Sequence, residues 1–102
     1  MPVEPVRGAR KRSGHDDEAR RMFQMERWLD ALCAEIGSDR AIIDAHRDEL
    51  LHLVSTVAHG PSRPAAPMTA FIIGWAAAST GEDVSGLVAR AEALAARWQA
   101  DR

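Results

Sequence analysis

Glu49 and His52 stand three residues apart in a stretch with helical patterning. On a helix this Glu-x-x-His spacing brings both side chains to one side of a turn, and di-iron bundles use it. Such a site needs a second copy of the pair and two further carboxylates from other helices. The sequence holds no second Glu-x-x-His. Projected at the helical period, His52 and His59 fall opposite the apolar face of their segment. They are expected on a solvated face, and no metal site is expected.

His46 projects toward the apolar stripe instead, as a histidine satisfied by one hydrogen-bond partner would. Asp44, Asp48 and Glu49 flank it, but two of them point elsewhere, so no organised acid–base pair emerges. Cys33 lies within the hydrophobic stripe of its own segment. A reactive thiol needs exposure and a lowered pKa, so Cys33 reads as a packed, inert residue. Met22, Met25 and Met68 read as core filler. No nucleophile–base set is visible, and neither an enzyme nor a cofactor is expected.

The connector His59-Gly-Pro-Ser-Arg-Pro-Ala-Ala-Pro67 holds the best functional candidates. His59 ends one helix, where a cation is favoured. Arg63 sits on a segment stiffened by prolines. The amides of Met68 and Thr69 open the next helix, and a helix start beside an arginine attracts anions. Together, His59, Arg63, Met68 and Thr69 could hold a phosphate, a pyrophosphate or a partner's carboxylate. Alternatively, Arg63 caps the carbonyls of the preceding helix or pairs with an acid of the first helix. Trp28 and Trp98 are candidate aromatic anchors for a partner, or core residues.

The elements that must position these groups are helical. The chain has 102 residues, 46% apolar and 27% charged, with a formal net charge of −2. That supports one ordinary globular domain and argues against an overall basic nucleic-acid binder. One cysteine excludes an internal disulfide. The N-terminus lacks a signal-type apolar segment, and the longest apolar run is too short to span a bilayer. A cytoplasmic protein without a membrane partner is expected.

Residues 1–16 are read as a flexible tail, with a basic cluster at Arg7, Arg10, Lys11 and Arg12 and acids at its end. Residues 17–102 are read as an all-α, four-helix domain. The first helix is expected from about Asp17 to Ile36, with Met22, Met25, Leu29, Leu32, Cys33 and Ile36 in one stripe and Gly37 as a left-handed stop. The second is expected from about Arg40 to Ala58, capped by Ser38 or Asp39 and burying Ile43, Leu50, Leu53, Val54 and Val57. The third is expected from near Pro67 to Thr80, ended by Gly81.

The fourth helix is expected from about Val84 to Ala100, capped by Asp83, with Val84, Leu87, Val88, Ala91, Leu94, Ala95 and Trp98 following the helical period. The third helix is apolar on nearly every side, so it reads as the central element on which the others pack. On that reading Phe71→Ala costs roughly 3–5 kcal/mol, and Gly74 admits a close neighbour.

Several of these residues also carry a likeness. Trp28-Leu29, Val57-Ala58-His59-Gly60, Arg63-Pro64-Ala65-Ala66-Pro67, Thr69, Phe71, Gly74 and Arg97-Trp98 resemble a small, mostly actinobacterial helical domain of unknown function. That domain occurs alone or appended to proteins resembling the molybdenum cofactor guanylyltransferase (MobA-like). The likeness covers about residues 22 to 99. The guanylyltransferase carries a Gly-rich nucleotide-binding loop on a βαβ unit, and this chain has neither.

The resemblance therefore implies association with molybdenum cofactor metabolism, not transferase activity. The function expected is a non-catalytic accessory or interaction module. Its partner would be a guanylyltransferase-like protein or a molybdoenzyme, and homodimerisation is a further expectation. The rival reading is a small anionic-ligand or nucleotide-binding domain using Arg63 and the start of helix three.

Overall fold

The structure, a computed structural model, describes residues 3–100 and the side chains of residues 15–98. All regular elements among the described residues are α-helices: α1 (Val3–Ile36), α2 (Ala41–Asp44), α3 (Arg47–His59), α4 (Ala65–Thr80) and α5 (Val84–Ala100). The all-α reading holds. The chain divides into two units, Met1–Arg40 and Ala41–Arg102.

The first unit is α1 and the turn that ends it. Its backbone is helical from Val3, through the segment read above as a tail. The side chains of the basic cluster lie outside the described residues. Gly37 adopts φ 84°, the left-handed stop expected there. The Gly37 and Ser38 amides both donate to the Cys33 carbonyl, at 2.8 and 2.9 Å. That satisfies one of the helix-end carbonyls, that of Cys33, with two donors. Arg40 reaches back over this turn to Glu26 and, at 2.9 Å, to Asp30. These acids lie one helical turn apart, so a single guanidinium can bridge them.

In the second unit, the single helix expected over residues 40–58 is two pieces. After α2 the His46 amide donates to the Ile43 carbonyl, three residues back, at 2.9 Å. His46 itself leaves helical geometry (φ −130°, ψ 12°) and becomes the cap position of α3. Gly60 closes α3, its amide shared between the Thr56 and Val57 carbonyls. Helix α4 begins at Ala65, two residues before the expected start. Pro64 already has helical angles (φ −64°, ψ −18°), and two alanines propagate the turn from it. Gly81 (φ 78°) ends α4, and the Asp83 carboxylate caps α5 through the Gly86 amide at 3.1 Å, both as expected.

Helices α3, α4 and α5 pack pairwise on one another. Their core is Leu53 and Val57 from α3, Ala66 and Ile73 from α4, and Val88 and Ala95 from α5. Each helix supplies residues four or seven apart, which share one face. The alanines let the axes approach closely. Leu53 is wholly buried.

One expectation is corrected here. Helix α4 is apolar all round but is covered by α3 and α5 on one side only. Its other side carries Met68, Phe71, Ile72 and Trp75, with Phe71 68% and Trp75 67% exposed. Phe71 is therefore not core, and the large cost expected for Phe71→Ala is withdrawn. Gly74 is no close-approach point either, because a Cβ built there would meet nothing within 4 Å. A helix with no charged residue and polar ones only near its ends gives its sequence little marker of direction, so periodicity could not tell which side faces the neighbours. Ile36 and Leu94, on the apolar stripes of their helices, are likewise exposed, and so is Trp98, read as either an anchor or core.

Candidate functional site at the connector and its recess

The connector spans Gly60 to Pro64, between α3 and α4, and is built from backbone hydrogen bonds. The Ser62 amide donates to the Val57 carbonyl at 3.2 Å. The Ala65 and Ala66 amides donate to the Ser62 and Arg63 carbonyls at 3.2 and 3.0 Å. These are the donors that an anion at the start of α4 would have used, and the loop has taken them. Pro67 has no amide hydrogen, and Met68 and Thr69 follow it inside a helix already begun at Ala65.

The four connector candidates do not converge on one point. The His59 ring nitrogen Nδ1 donates to the Ser55 carbonyl of its own helix at 2.8 Å. The Thr69 hydroxyl donates to the Ala65 carbonyl at 2.8 Å. Met68 joins the uncovered face of α4. The Arg63 side chain is exposed and engages no acid or carbonyl among the described residues. It is therefore neither a cap nor an ion-pair partner there.

What the structure does bring together is Thr69 and Trp98. They line a recess of about 200 Å³ with Val57, Pro61, Ala65 and Leu94. Its polar hydroxyl is already spent on the backbone, so its chemistry is apolar. Trp98 is 53% exposed at its rim. Leu94 and Trp98 follow one helical period in the sequence, and their four-residue spacing puts both on the wall of this recess. Trp28 belongs to the other unit and is also exposed.

A set of ionisable groups lies elsewhere, in a recess of about 300 Å³ that includes Asp44, His46, Arg47, Asp48, Glu49 and Ser85. Glu49 Oε2 accepts from His46 Nδ1 at 2.5 Å and from Ser85 Oγ at 2.7 Å. A serine nucleophile needs a histidine to take its proton, with the acid behind that histidine. Here the carboxylate stands between the two, and both bond the same oxygen. The arrangement fixes the α3 cap and ties α3 to α5. His52 adds a second tie, with Nδ1 2.6 Å from Glu92 Oε2. Sequence reasoning missed Ser85 and Glu92, because pairings across helices leave no spacing signal. Among the described residues no three His, Cys, Asp or Glu side chains gather to hold a metal.

The hydrogen bond from Ser85, then that from His46, holds the Glu49 carboxyl below the usual carboxylate range. A lowered folded-state pKa means the tie is intact above that range and is lost as pH falls through the Glu49 value. Ser85→Ala is expected to move the Glu49 titration upward in a side-chain NMR titration. An unchanged titration would show that Ser85 does not hold the carboxylate.

The sequence profile described as a domain of unknown function, DUF6457, matches residues 20–102. The chain belongs to that family. No curated protein and no solved structure matches it. The DUF6457 domain begins inside α1 and contains the connector, both recesses and the α3–α5 ties. Among the described residues of this DUF6457 chain, no helix is long and apolar enough to cross a membrane.

Proposed function

We propose that this protein is a non-catalytic interaction module, with the recess beside the connector receiving an apolar side chain of a protein partner. The carrying observation is a tryptophan left half in solvent over an apolar hollow. The connector, whose Pro61 lines that hollow, also carries Arg63, exposed and without an acid or carbonyl partner among the described residues. Exposed aromatic rings and arginines dominate the binding energy of protein interfaces. The likeness to domains appended to molybdenum cofactor guanylyltransferase-like proteins supplies the first partners to try: such an enzyme, or a molybdoenzyme. The role is then accessory to molybdopterin guanine dinucleotide biosynthesis or molybdoenzyme maturation.

The rival reading, an anionic ligand held by Arg63 and the start of α4, has less support because the loop carbonyls occupy the first amides of that helix. Calorimetry of the full chain against the guanylyltransferase-like protein of the same genome tests the proposal. Trp98→Ala is expected to weaken binding at least about 30-fold, as loss of a central anchor does. No binding, or binding indifferent to Trp98→Ala, counts against it. Saturable NMR shifts at Arg63 and Thr69 on adding phosphate would favour the rival.

A further inference from the structure

The uncovered side of α4 carries Met68, Phe71, Ile72 and Trp75, the spacing of a helix–helix seam. All four are largely exposed, and the Phe71 and Trp75 rings lie 6.2 Å apart, forming one continuous ridge. Beside the ridge runs an apolar groove of about 570 Å³, lined by Ile42, Ile43, Leu50, Ala70, Ile73 and Gly74 among others. Gly74, in the wall of the groove, lies three residues from Phe71 and so is its neighbour on the helix surface, which sets the edge of the groove against the ridge. Gly74 leaves that wall flat, with open space where a Cβ would stand.

We infer that this surface is the interface of a two-fold homodimer in which antiparallel α4 helices pack ridge into groove. A two-fold interface requires one patch that carries both a protrusion and its complement, and this patch does. Charge points the same way. No residue of α4 is charged, so two copies can meet there without like-charge repulsion. An antiparallel pair centred between Phe71 and Ile72 sets Arg63 of each copy beside residues 80–82 of the other. Glu82, which pairs with Arg90 at 3.3 Å within its own chain, brings an exposed carboxylate near that point, and the helix dipoles run in opposite directions. Met and aromatic residues without charge at the centre are the composition of an interface core. The ridge and groove share no lining residue with the Trp98 recess; Arg63 is the one residue that both readings use, and none of the tests below touches it.

Sedimentation equilibrium of the full chain is expected to show a concentration-dependent species of twice the chain mass. Phe71→Arg places a charge in the ridge, and Gly74→Leu fills the groove without touching the ridge. Both are expected to weaken dimerisation more than tenfold while the helical circular dichroism of the monomer is retained. On a Cys33→Ser background, Ile72→Cys near the two-fold axis is expected to form an intermolecular disulfide readily, and Met68→Cys is not. A chain that stays monomeric at millimolar concentration overturns the inference. So does a dimer indifferent to both Phe71→Arg and Gly74→Leu, or one cross-linked equally through positions 68 and 72. None of these outcomes bears on binding at Trp98.

Discussion

Leu53→Ala is expected to lower the stability of the protein by about 2–5 kcal/mol, while Phe71→Ala costs less than about 1 kcal/mol in dilute solution. Leu53 is wholly buried where α3, α4 and α5 meet, so truncation removes apolar burial and leaves a cavity that three helices cannot all close. Small domains hold only about 5–15 kcal/mol in total, and this core has six buried residues, two of them alanine. The loss should therefore take a large part of the stability margin. Phe71 has most of its surface in solvent already, and its truncation opens no cavity. Urea denaturation of both variants, at concentrations where the chain is monomeric, checks the contrast. A larger loss at Phe71 than at Leu53 would mean that α4 faces the other way.

Adjacent residues of α4 should respond in opposite ways to one chemical change. Ile73→Asp is expected to unfold the second unit, at a cost above about 3 kcal/mol, because a carboxylate would be buried among Leu53, Val57 and Val88 with no partner. Ile72→Asp places the same group in water and should cost less than about 1 kcal/mol. Loss of helical circular dichroism in the first variant and its retention in the second are the expected results. Equal tolerance of both would show that no side of α4 is core.

These contrasts mark where the sequence could be read and where it could not. Helices with mixed polarity declared their buried faces. Leu53 and Val57 on α3, and Val88 and Ala95 on α5, lie where periodicity put them. Helix α4 gave no such cue, and the number of large apolar residues in it was taken for burial. The polar tie was half visible. His46 was read as a histidine with one partner, and Glu49 was noted beside it. Ser85, which completes the tie, lies 36 residues away along the chain.

The connector divides in the same way. Its prolines and glycine announce a stiff turn, and Arg63 stands exposed on it. Where α4 begins depends on the hydrogen bonds that Ser62 and Arg63 accept, which only the closed loop reveals. Thr69 and Trp98 share a hollow because two helices cross there, not because of any spacing between them.

The sequence by itself determined the helical class, the left-handed stops at Gly37 and Gly81, the Asp83 cap, and the inward faces of α3 and α5. Backbone propensity and local periodicity are written residue by residue, so these follow from neighbours along the chain. Only the tertiary structure decided the break at His46, the early start of α4, and which side of that helix meets water. The first two rest on hydrogen bonds between residues three apart, which no hydrophobic period announces. The third depends on contacts between residues distant in sequence, and a helix without charged residues carries little local mark of the side its neighbours will cover.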